Sequence, residues 1–301
     1  MKLAVTGAFS YSGRYIAKRL LERGEEIITL TGHPNRPDPF NGKIKAFPLD
    51  FNNEEELTKS LKGVGVLVNT YWIRFDYKEN TQTRAVENTR KLINAASRAG
   101  VKRIVHISIT NPSADSPLPY FRGKAANEKA VTESSMSYAI LRPTVLAGAE
   151  DILINNIAFL LKRFPVFALP GDGSYRLQPV YVEDLADLAT DAVYRTDNYI
   201  IDAVGPDVFS FKEMIELIEE RIGVKRPLVS VPPRLALSVA RFLSMLLGDV
   251  LLTPEEVDGL MANLLVSKEL PRCKTHLADW PEANKDKIGT RYASEIKRHY
   301  Q

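Results

Sequence analysis

Short apolar runs alternate with stretches of helical character along the first half of the chain. The apolar runs predict strands at 2–6, 26–31, 44–49, 64–70, 103–109 and 138–145. The stretches between them predict helices at about 12–23, 53–62, 78–99 and 119–134. This order is typical of a parallel sheet with helices on both faces. The nearly all-apolar run at residues 104–107 suits a strand that is buried on both faces.

The pattern becomes less regular after Pro143. It predicts a helix near 153–163, a turn at 170–173, a short strand at 179–182, a helix from Glu183, a strand at 199–204, a helix at 210–222 and helices beyond 233. We therefore expect an α/β fold, a doubly wound parallel sheet (Rossmann fold) with a small, mostly helical C-terminal lobe. The expected Rossmann domain is 1–150, with 175–205 returning to its sheet. The expected substrate or lid lobe is 151–174 with 206–301.

Composition excludes several classes of protein. Of the 301 residues, 45% are hydrophobic, which is ordinary for a globular protein with one large core. The 40 basic and 37 acidic side chains are interspersed, so a nucleic-acid partner is not expected. Cys273 is the single cysteine and the N-terminus lacks the pattern of a signal peptide, which together predict a cytoplasmic protein.

The longest apolar stretch, 235–247, is too short to span a bilayer, so no stable membrane insertion is expected. We expect this stretch to be a helix that packs in the small lobe or at a dimer contact, with a membrane-surface role as the alternative. A two-fold homodimer is the default oligomer. The four histidines, at 33, 106, 276 and 299, lack metal-ligand spacing, so no metal is expected.

The first predicted strand leads directly into two glycines at the start of a helix. Gly7 and Gly13 bracket this turn, and Ser10 lies midway between them. A helix N-terminus offers unpaired N–H groups and a favourable dipole to an anion, so the turn suits a dinucleotide pyrophosphate. The spacing resembles the G-x-x-G-x-x-G turn of the extended and atypical short-chain dehydrogenase/reductases, with Ser10 in place of the middle glycine. Its side chain either crowds the pyrophosphate or donates a hydrogen bond to it.

This resemblance implies a bound NADP or NAD. No acidic residue lies at the end of the second predicted strand, whereas Arg14 and Arg36 could receive a 2′-phosphate, so NADP is preferred. Either arginine could instead be a solvated surface residue. The residues expected to line the cofactor are Gly7, Phe9, Ser10, Tyr11, Gly13, Arg14, His33, Arg36, Asp50, Phe51, Asn69, Thr70, Lys124 and Pro143.

Tyr120 and Lys124 lie four residues apart on a predicted helix, so both project from one face. In the family that the turn resembles, Y-x-x-x-K supplies a tyrosine acid/base and a lysine that binds the cofactor ribose. A neighbouring ammonium would lower the pKa of the phenol from near 10 toward neutral pH. The resemblance also implies a hydroxyl after the fifth strand that holds the substrate oxygen. Ser108 is preferred, with Thr110 second, whereas Ile109 at that position would imply weak or lost catalysis.

Further motifs extend the resemblance over about two thirds of the chain. They are Arg142-Pro143 with Gly148, Gly171-Asp172-Gly173, and the segment 179–186. The branch that they resemble includes NAD(P)-dependent epimerase/dehydratase-like proteins and the nucleotide-binding subunit-like proteins of complex I. We therefore expect an oxidoreductase, epimerase or dehydratase that acts on a small carbonyl or hydroxyl substrate. The alternative is a non-catalytic NAD(P)-binding sensor or assembly or regulatory protein. The expected pocket lining is Trp72, Arg74, Phe75, Tyr120, Val145 and Leu146.

Overall fold

The structure is a computed structural model that describes residues 1–34, 36–148, 150–279 and 288–300. Its chain divides into two compact units. The first unit comprises Met1–Pro143 and Val182–Ala203, and the second comprises Thr144–Tyr181 and Val204–Gln301. The first unit thus ends earlier than the expected 1–150, and the returning segment is shorter than the expected 175–205.

The first unit contains a seven-stranded parallel sheet. Its strands are β1 (Lys2–Thr6), β2 (Glu26–Thr31), β3 (Lys45–Pro48), β4 (Val66–Asn69), β5 (Arg103–Ile107), β6 (Ser137–Pro143) and β11 (Tyr199–Ala203). Its helices are α1 (Tyr11–Glu22), α2 (Glu54–Ser60), α3 (Gln82–Ala99), α4 (Pro119–Thr132) and α6 (Val182–Tyr194). The strand order is β11-β6-β5-β4-β1-β2-β3. The doubly wound Rossmann fold predicted from the sequence is confirmed.

The core of the first unit forms where apolar strand residues meet the apolar faces of α2, α3 and α4. Leu67 on β4, Ile104 on β5 and Ile140 on β6 lie in one buried cluster with Leu92 of α3 and Val131 of α4. Because alternate residues of a strand point to the same face, the residues two positions further along these strands also face the helices. Asn69, His106 and Arg142 occupy those positions, so the polar residues of this face lie at the carboxyl ends of the strands.

The second unit contains short strands as well as helices. Its strands are β7 (Leu146–Ala147), β8 (Phe167–Pro170), β9 (Arg176–Leu177), β10 (Val180–Tyr181), β12 (Phe209–Ser210) and β13 (Leu228–Val231). Its helices are α5 (Leu153–Arg163), α7 (Phe211–Ile222), α8 (Pro233–Leu247), α9 (Pro254–Met261) and α10 (Glu295–His299). The strands form three pairs, β10 with β7, β12 with β9, and β13 with β8. Four of these six strands have only two residues, and the other two have four residues that include a proline or a polar position, so the sequence predicted a mostly helical lobe.

Several element ends also differ from the prediction. The strand predicted at 138–145 stops at Pro143, and β7 belongs to a separate sheet in the second unit. The strand predicted at 103–109 ends at Ile107, after which the amides of Ser108 and Thr110 donate to the carbonyls of Leu141 and Pro143. No helix in the described part of the chain is long and apolar enough to cross a membrane.

Candidate active site

The glycine turn joins β1 to α1 and has a backbone that only glycine supports at two positions. Gly7 has φ +65°, in the left-handed region that side chains rarely adopt. A Cβ on Gly13 would lie 2.3 Å from the carbonyl oxygen of Gly7 and 3.1 Å from that of Thr6. Gly13 therefore allows the first turn of α1 to pack directly on the end of β1. This is the close helix–strand approach that a dinucleotide-binding turn requires.

The turn leaves the N-terminus of α1 open to an anion. The Ser10 amide donates to the Gly7 carbonyl at 2.8 Å, which closes the turn. The Ser10 side chain makes no capping hydrogen bond to α1, and no acidic residue lies in the first turn. The first-turn N–H groups and the positive end of the helix dipole thus fit a diphosphate.

Arg36 reaches this turn from the segment after β2. Its Nη1 donates to the Ser10 hydroxyl at 3.3 Å, and its amide donates to the His33 carbonyl at 3.1 Å. The structure therefore brings together Ser10 and Arg36, which the sequence placed in separate segments. The guanidinium of Arg14 lies over the Tyr15 ring instead, 5.7 Å from its centroid.

Other residues predicted to line the cofactor lie around the same sheet edge. The Phe9 ring lies 6.4 Å from that of Phe40, and the Tyr11 ring 5.9 Å from that of Tyr15. Asp50 is exposed, and its carboxylate accepts the amide of Asn52. The Phe51 ring lies 4.9 Å from that of Tyr71. Pro143 ends β6.

The segment after β4 is fixed to β1 by its own hydrogen bonds. The Thr70 hydroxyl donates to the Thr6 carbonyl at 2.6 Å. The Asn69 side chain is fully buried, accepts the amide of Tyr71 and donates to Nδ1 of His106 at 3.0 Å. Asn69 thus connects β4 to β5 at the carboxyl edge of the sheet, whereas it was expected to line the cofactor. Burial lowers the pKa of His106 to about 3, and the charge of Lys124 contributes to that shift.

Tyr120 and Lys124 both belong to α4, and each contacts Trp72. The rings of Tyr120 and Trp72 meet edge-on at 5.7 Å. The Lys124 ammonium lies 5.0 Å from the centroid of the same indole and donates to the carbonyl of Ile107 at 3.1 Å. Gly123 makes this packing possible, because a Cβ there would lie 2.7 Å from the Trp72 ring. Lys124 is only 3% exposed.

A second charged group supports Lys124 one helical turn further along α4. Burial lowers the pKa of the Lys124 ammonium to about 7, and the Glu128 carboxylate opposes that shift. Glu128 receives two hydrogen bonds from the Arg142 guanidinium, at 2.9 and 2.6 Å. Glu128 was missed in the sequence analysis, although a signal existed, since the four-residue spacing of Tyr120 and Lys124 continues to it.

The two hydroxyls considered for the substrate oxygen are already engaged. Ser108 is buried, and its Oγ donates to Glu128 at 2.5 Å. Thr110 is also buried, and its Oγ1 donates to Asp202 on β11 at 2.8 Å. The third alternative, Ile109, is buried and apolar. In this structure Ser108 belongs to a cluster with Glu128 and Arg142, and its expected contact with the substrate oxygen stays a prediction.

A parallel sheet with an open helix N-terminus at its carboxyl edge defines a dinucleotide-binding protein of the Rossmann type. Residues 7–156 match the family described as NAD(P)H-binding. The resemblance to the extended or atypical short-chain dehydrogenase/reductases, which the sequence motifs predicted, is confirmed. Among the described residues, no group of three His, Cys, Asp or Glu side chains is placed to hold a metal ion.

Two curated relatives are similar in sequence to most of this chain. It is 25% identical over 248 residues to the mitochondrial NADH dehydrogenase [ubiquinone] 1 alpha subcomplex subunit 9 of Arabidopsis thaliana, covering 78% of this chain and 61% of the relative. It is 26% identical over 247 residues to the photosystem II assembly factor Ycf39 of Cyanidium caldarium, covering 81% of this chain and 78% of the relative. The chain thus spans about three fifths of the first relative's length. The expectation of a cytoplasmic protein is wrong by this comparison, because subunit 9 is mitochondrial by name in both Arabidopsis and Dictyostelium discoideum.

Two solved structures share the fold. The triphenylmethane reductase of Citrobacter sp. superposes with a TM-score of 0.76 at 19% identity, covering 95% of this chain and 100% of the reductase. The NADPH-dependent quinone oxidoreductase of Escherichia coli, complexed with NADPH, superposes with a TM-score of 0.73 at 21% identity. That match covers 92% of this chain and 97% of the oxidoreductase. At these identities the likeness extends to the fold alone.

Proposed function

We propose that the chain is an NADP(H)-dependent oxidoreductase that acts on a small carbonyl or hydroxyl substrate. The observation that carries the proposal is the placement of Tyr120 on the first turn of α4, with the buried cation Lys124 one turn later. Both follow β5, whose carboxyl end shares a sheet edge with the glycine turn. When bound, the nicotinamide supplies or accepts a hydride. Tyr120 donates a proton to the substrate oxygen during reduction and takes it back during oxidation.

The remaining residues support this chemistry from fixed positions. Lys124 places a positive charge beneath the proton donor when it is protonated, and Glu128 favours that protonated form. Trp72 packs against both side chains and holds the Tyr120 ring in place. Ser108 contributes through its hydrogen bond to Glu128, so no direct contact of Ser108 with the substrate is needed.

The preference for NADP follows from Arg36. Its guanidinium donates to Ser10 at the phosphate turn, and residues 32–36, directly after β2, include no carboxylate to bind a ribose 2′-hydroxyl. A guanidinium pairs well with a 2′-phosphate. Arg36→Ala should weaken NADPH binding about 10- to 100-fold, as expected for loss of a hydrogen bond to a charged group. NADH binding should change much less. Calorimetry with the two nucleotides measures both, and an equal loss for each would refute the preference.

Tyr120→Phe tests the catalytic assignment. The variant keeps the ring against Trp72 and removes the hydroxyl, so turnover should fall at least about 100-fold, while the Kd for NADPH stays nearly constant. Oxidation of NADPH with a panel of small carbonyl compounds and quinones supplies the assay, and Tyr138→Phe on β6 supplies the matched control. Full activity of Tyr120→Phe on any accepted substrate would show that the proton donor lies elsewhere.

A second function is favoured by the engaged hydroxyls of Ser108 and Thr110. With both committed to carboxylates, the chain could bind NAD(P) without catalysing its turnover and act through protein partners. The names of the two relatives, a respiratory-complex subunit and an assembly factor, agree with such a role. Tight NADPH binding with no nicotinamide oxidation across the whole panel would favour this second function.

A further inference from the structure

Helix α8 exposes a row of large apolar side chains. Leu235, Val239, Phe242 and Leu246 follow the spacing i, i+4, i+7 and i+11, which places them in one narrow stripe along the helix. Together with the adjacent Met245, their exposure ranges from 42% to 74%. Ala236, about a quarter turn from the stripe, is buried. The sequence predicted that this helix packs in the small lobe or at a dimer contact, with a membrane-surface role as the alternative, and in the described part of the chain its outer stripe is exposed.

Positive charge accompanies this stripe. Arg234 and Arg241 are seven residues apart, so they lie on one side of α8, about a third of a turn from the stripe. Both are exposed, and α8 contains no acidic residue. An apolar stripe flanked by arginines is complementary to a lipid surface with anionic headgroups, because the side chains enter the acyl boundary while the guanidinium groups remain among the phosphates.

The dimensions of the stripe argue against a second copy as its occupant. A helix of 15 residues is about 22 Å long, and one face of it about 10 Å wide. At the exposures given above, its five large side chains offer on the order of 500–600 Å² of accessible surface, less than the about 800 Å² that a stable protein interface buries on each partner. A helix that lies on a membrane surface needs no comparable minimum area, since each inserted side chain and each basic residue adds to its affinity for the membrane.

We propose that α8 lies on an anionic membrane surface, with its outer stripe inserted between headgroups and its arginines paired with lipid phosphates. This attachment is peripheral and does not depend on the function proposed above. It predicts that the protein partitions onto vesicles containing phosphatidylglycerol much more strongly than onto vesicles of phosphatidylcholine alone. It also predicts that added salt weakens the partitioning by screening the two arginines.

Vesicle flotation with the full chain tests the proposal. The double variant Phe242→Ser and Leu246→Ser should reduce partitioning onto the anionic vesicles at least about tenfold, because both apolar side chains leave the acyl boundary. Leu270→Ser is the matched control, since Leu270 is 85% exposed and lies outside α8. Circular dichroism and thermal unfolding check that each variant keeps the wild-type fold.

The charge contribution is measured separately. Arg234→Gln combined with Arg241→Gln should weaken binding to anionic vesicles about 25-fold at low salt, at about fivefold for each basic residue. Binding to neutral vesicles should stay unchanged. Failure of the wild type to float with anionic vesicles overturns the proposal, as does equal flotation of the Phe242 and Leu246 double variant. Light scattering provides a third test. The proposal is also overturned if the wild type is a dimer in solution and the variant with Phe242→Ser and Leu246→Ser is a monomer.

Discussion

The glycine turn and the start of α4 lie at one edge of the same sheet, but they differ in how far their polar groups are hydrogen-bonded within the protein. At the turn, the Ser10 side chain does not cap α1, and its hydroxyl accepts a hydrogen bond from Arg36. At α4, the charged groups already pair within the protein, as Lys124 does with the Ile107 carbonyl and Glu128 does with Arg142. The turn is thus built to receive an anion, whereas α4 is built to hold its own charges.

This difference shows why the two motifs carry unequal information. The role of the turn depends on backbone geometry, which glycine spacing specifies directly. The role of Tyr120 and Lys124 depends on which side chains surround them, and a spacing of four residues does not specify those neighbours. The following variants should therefore affect the two regions in different ways.

The largest effect is expected from Gly13→Ala at the turn. A Cβ 2.3 Å from the Gly7 carbonyl oxygen forces backbone atoms of β1 and α1 apart, because neither can move like a flexible side chain. We expect a loss in the free energy of unfolding on the order of 4 kcal/mol, above the usual cost of overpacking. Nucleotide binding should fall below detection.

Gly32→Ala provides the control for this substitution. Gly32 also lies just after a strand of the sheet, but a Cβ there meets nothing within 4 Å. Its effect on stability should be within about 0.5 kcal/mol. Urea unfolding measures both variants, and calorimetry measures nucleotide binding by Gly13→Ala. Wild-type affinity in Gly13→Ala would disprove the assignment of the turn.

The next effect concerns the buried charge of Lys124. Its pKa is lowered from 10.5 to about 7 by burial, so between pH 7 and 10.5 the unfolded chain binds the proton and the folded chain does not. Wild-type stability should therefore rise with pH across this window, by about 3–4 kcal/mol. Lys124→Met removes this dependence. Its stability should exceed that of the wild type at pH 7 and below, and the excess should disappear by about pH 10.5.

Chemical unfolding at a series of pH values measures this difference. Met keeps the apolar contact with Trp72, so the comparison isolates the charge. Parallel profiles of stability against pH for wild type and Lys124→Met would mean that the ammonium keeps its ordinary pKa. Burial in α4 would then not destabilise the charged form of Lys124.

A smaller effect is expected where α4 meets Trp72. In Gly123→Ala the new Cβ would lie 2.7 Å from Cη2 of the indole, so the ring must shift, at a cost of about 1–3 kcal/mol. Trp72→Phe removes the atoms that collide, so the double variant should be more stable than additivity of the two single variants predicts. Unfolding of all four proteins measures this coupling. Simple additivity would show that Gly123 and Trp72 do not share a contact in solution.

Much of the fold could be predicted from the sequence, but the site only in part. Most strands of the main sheet lie in apolar runs and the glycine turn has a fixed spacing, so both were recognisable. The pairs β8 with β13 and β9 with β12 were missed. The strands β9 and β12 are only two residues long, and β8 and β13 lie among prolines at 165, 170, 227 and 232, which indicate turns rather than strands. Arg36 could be proposed, but its contact with Ser10 depends on the course of the segment after β2. The partners of Ser108 and Thr110 come from α4 and β11, which no local pattern reveals.

The smallest effect is expected from Ser108→Ala, which decides between the role implied by the motif and the role found in the structure. Ser108 donates one hydrogen bond to Glu128, which keeps both bonds from Arg142. Its loss should therefore cost about 1 kcal/mol of stability and change kcat/KM less than about threefold on any substrate found by the NADPH oxidation assay. A hydroxyl that held the substrate oxygen would behave in the opposite way, with unchanged stability and a loss of at least about 100-fold in kcat. Thr110→Val is the parallel control, since its hydroxyl also donates to a buried carboxylate. Similar modest results for both variants would assign structural roles to the two hydroxyls.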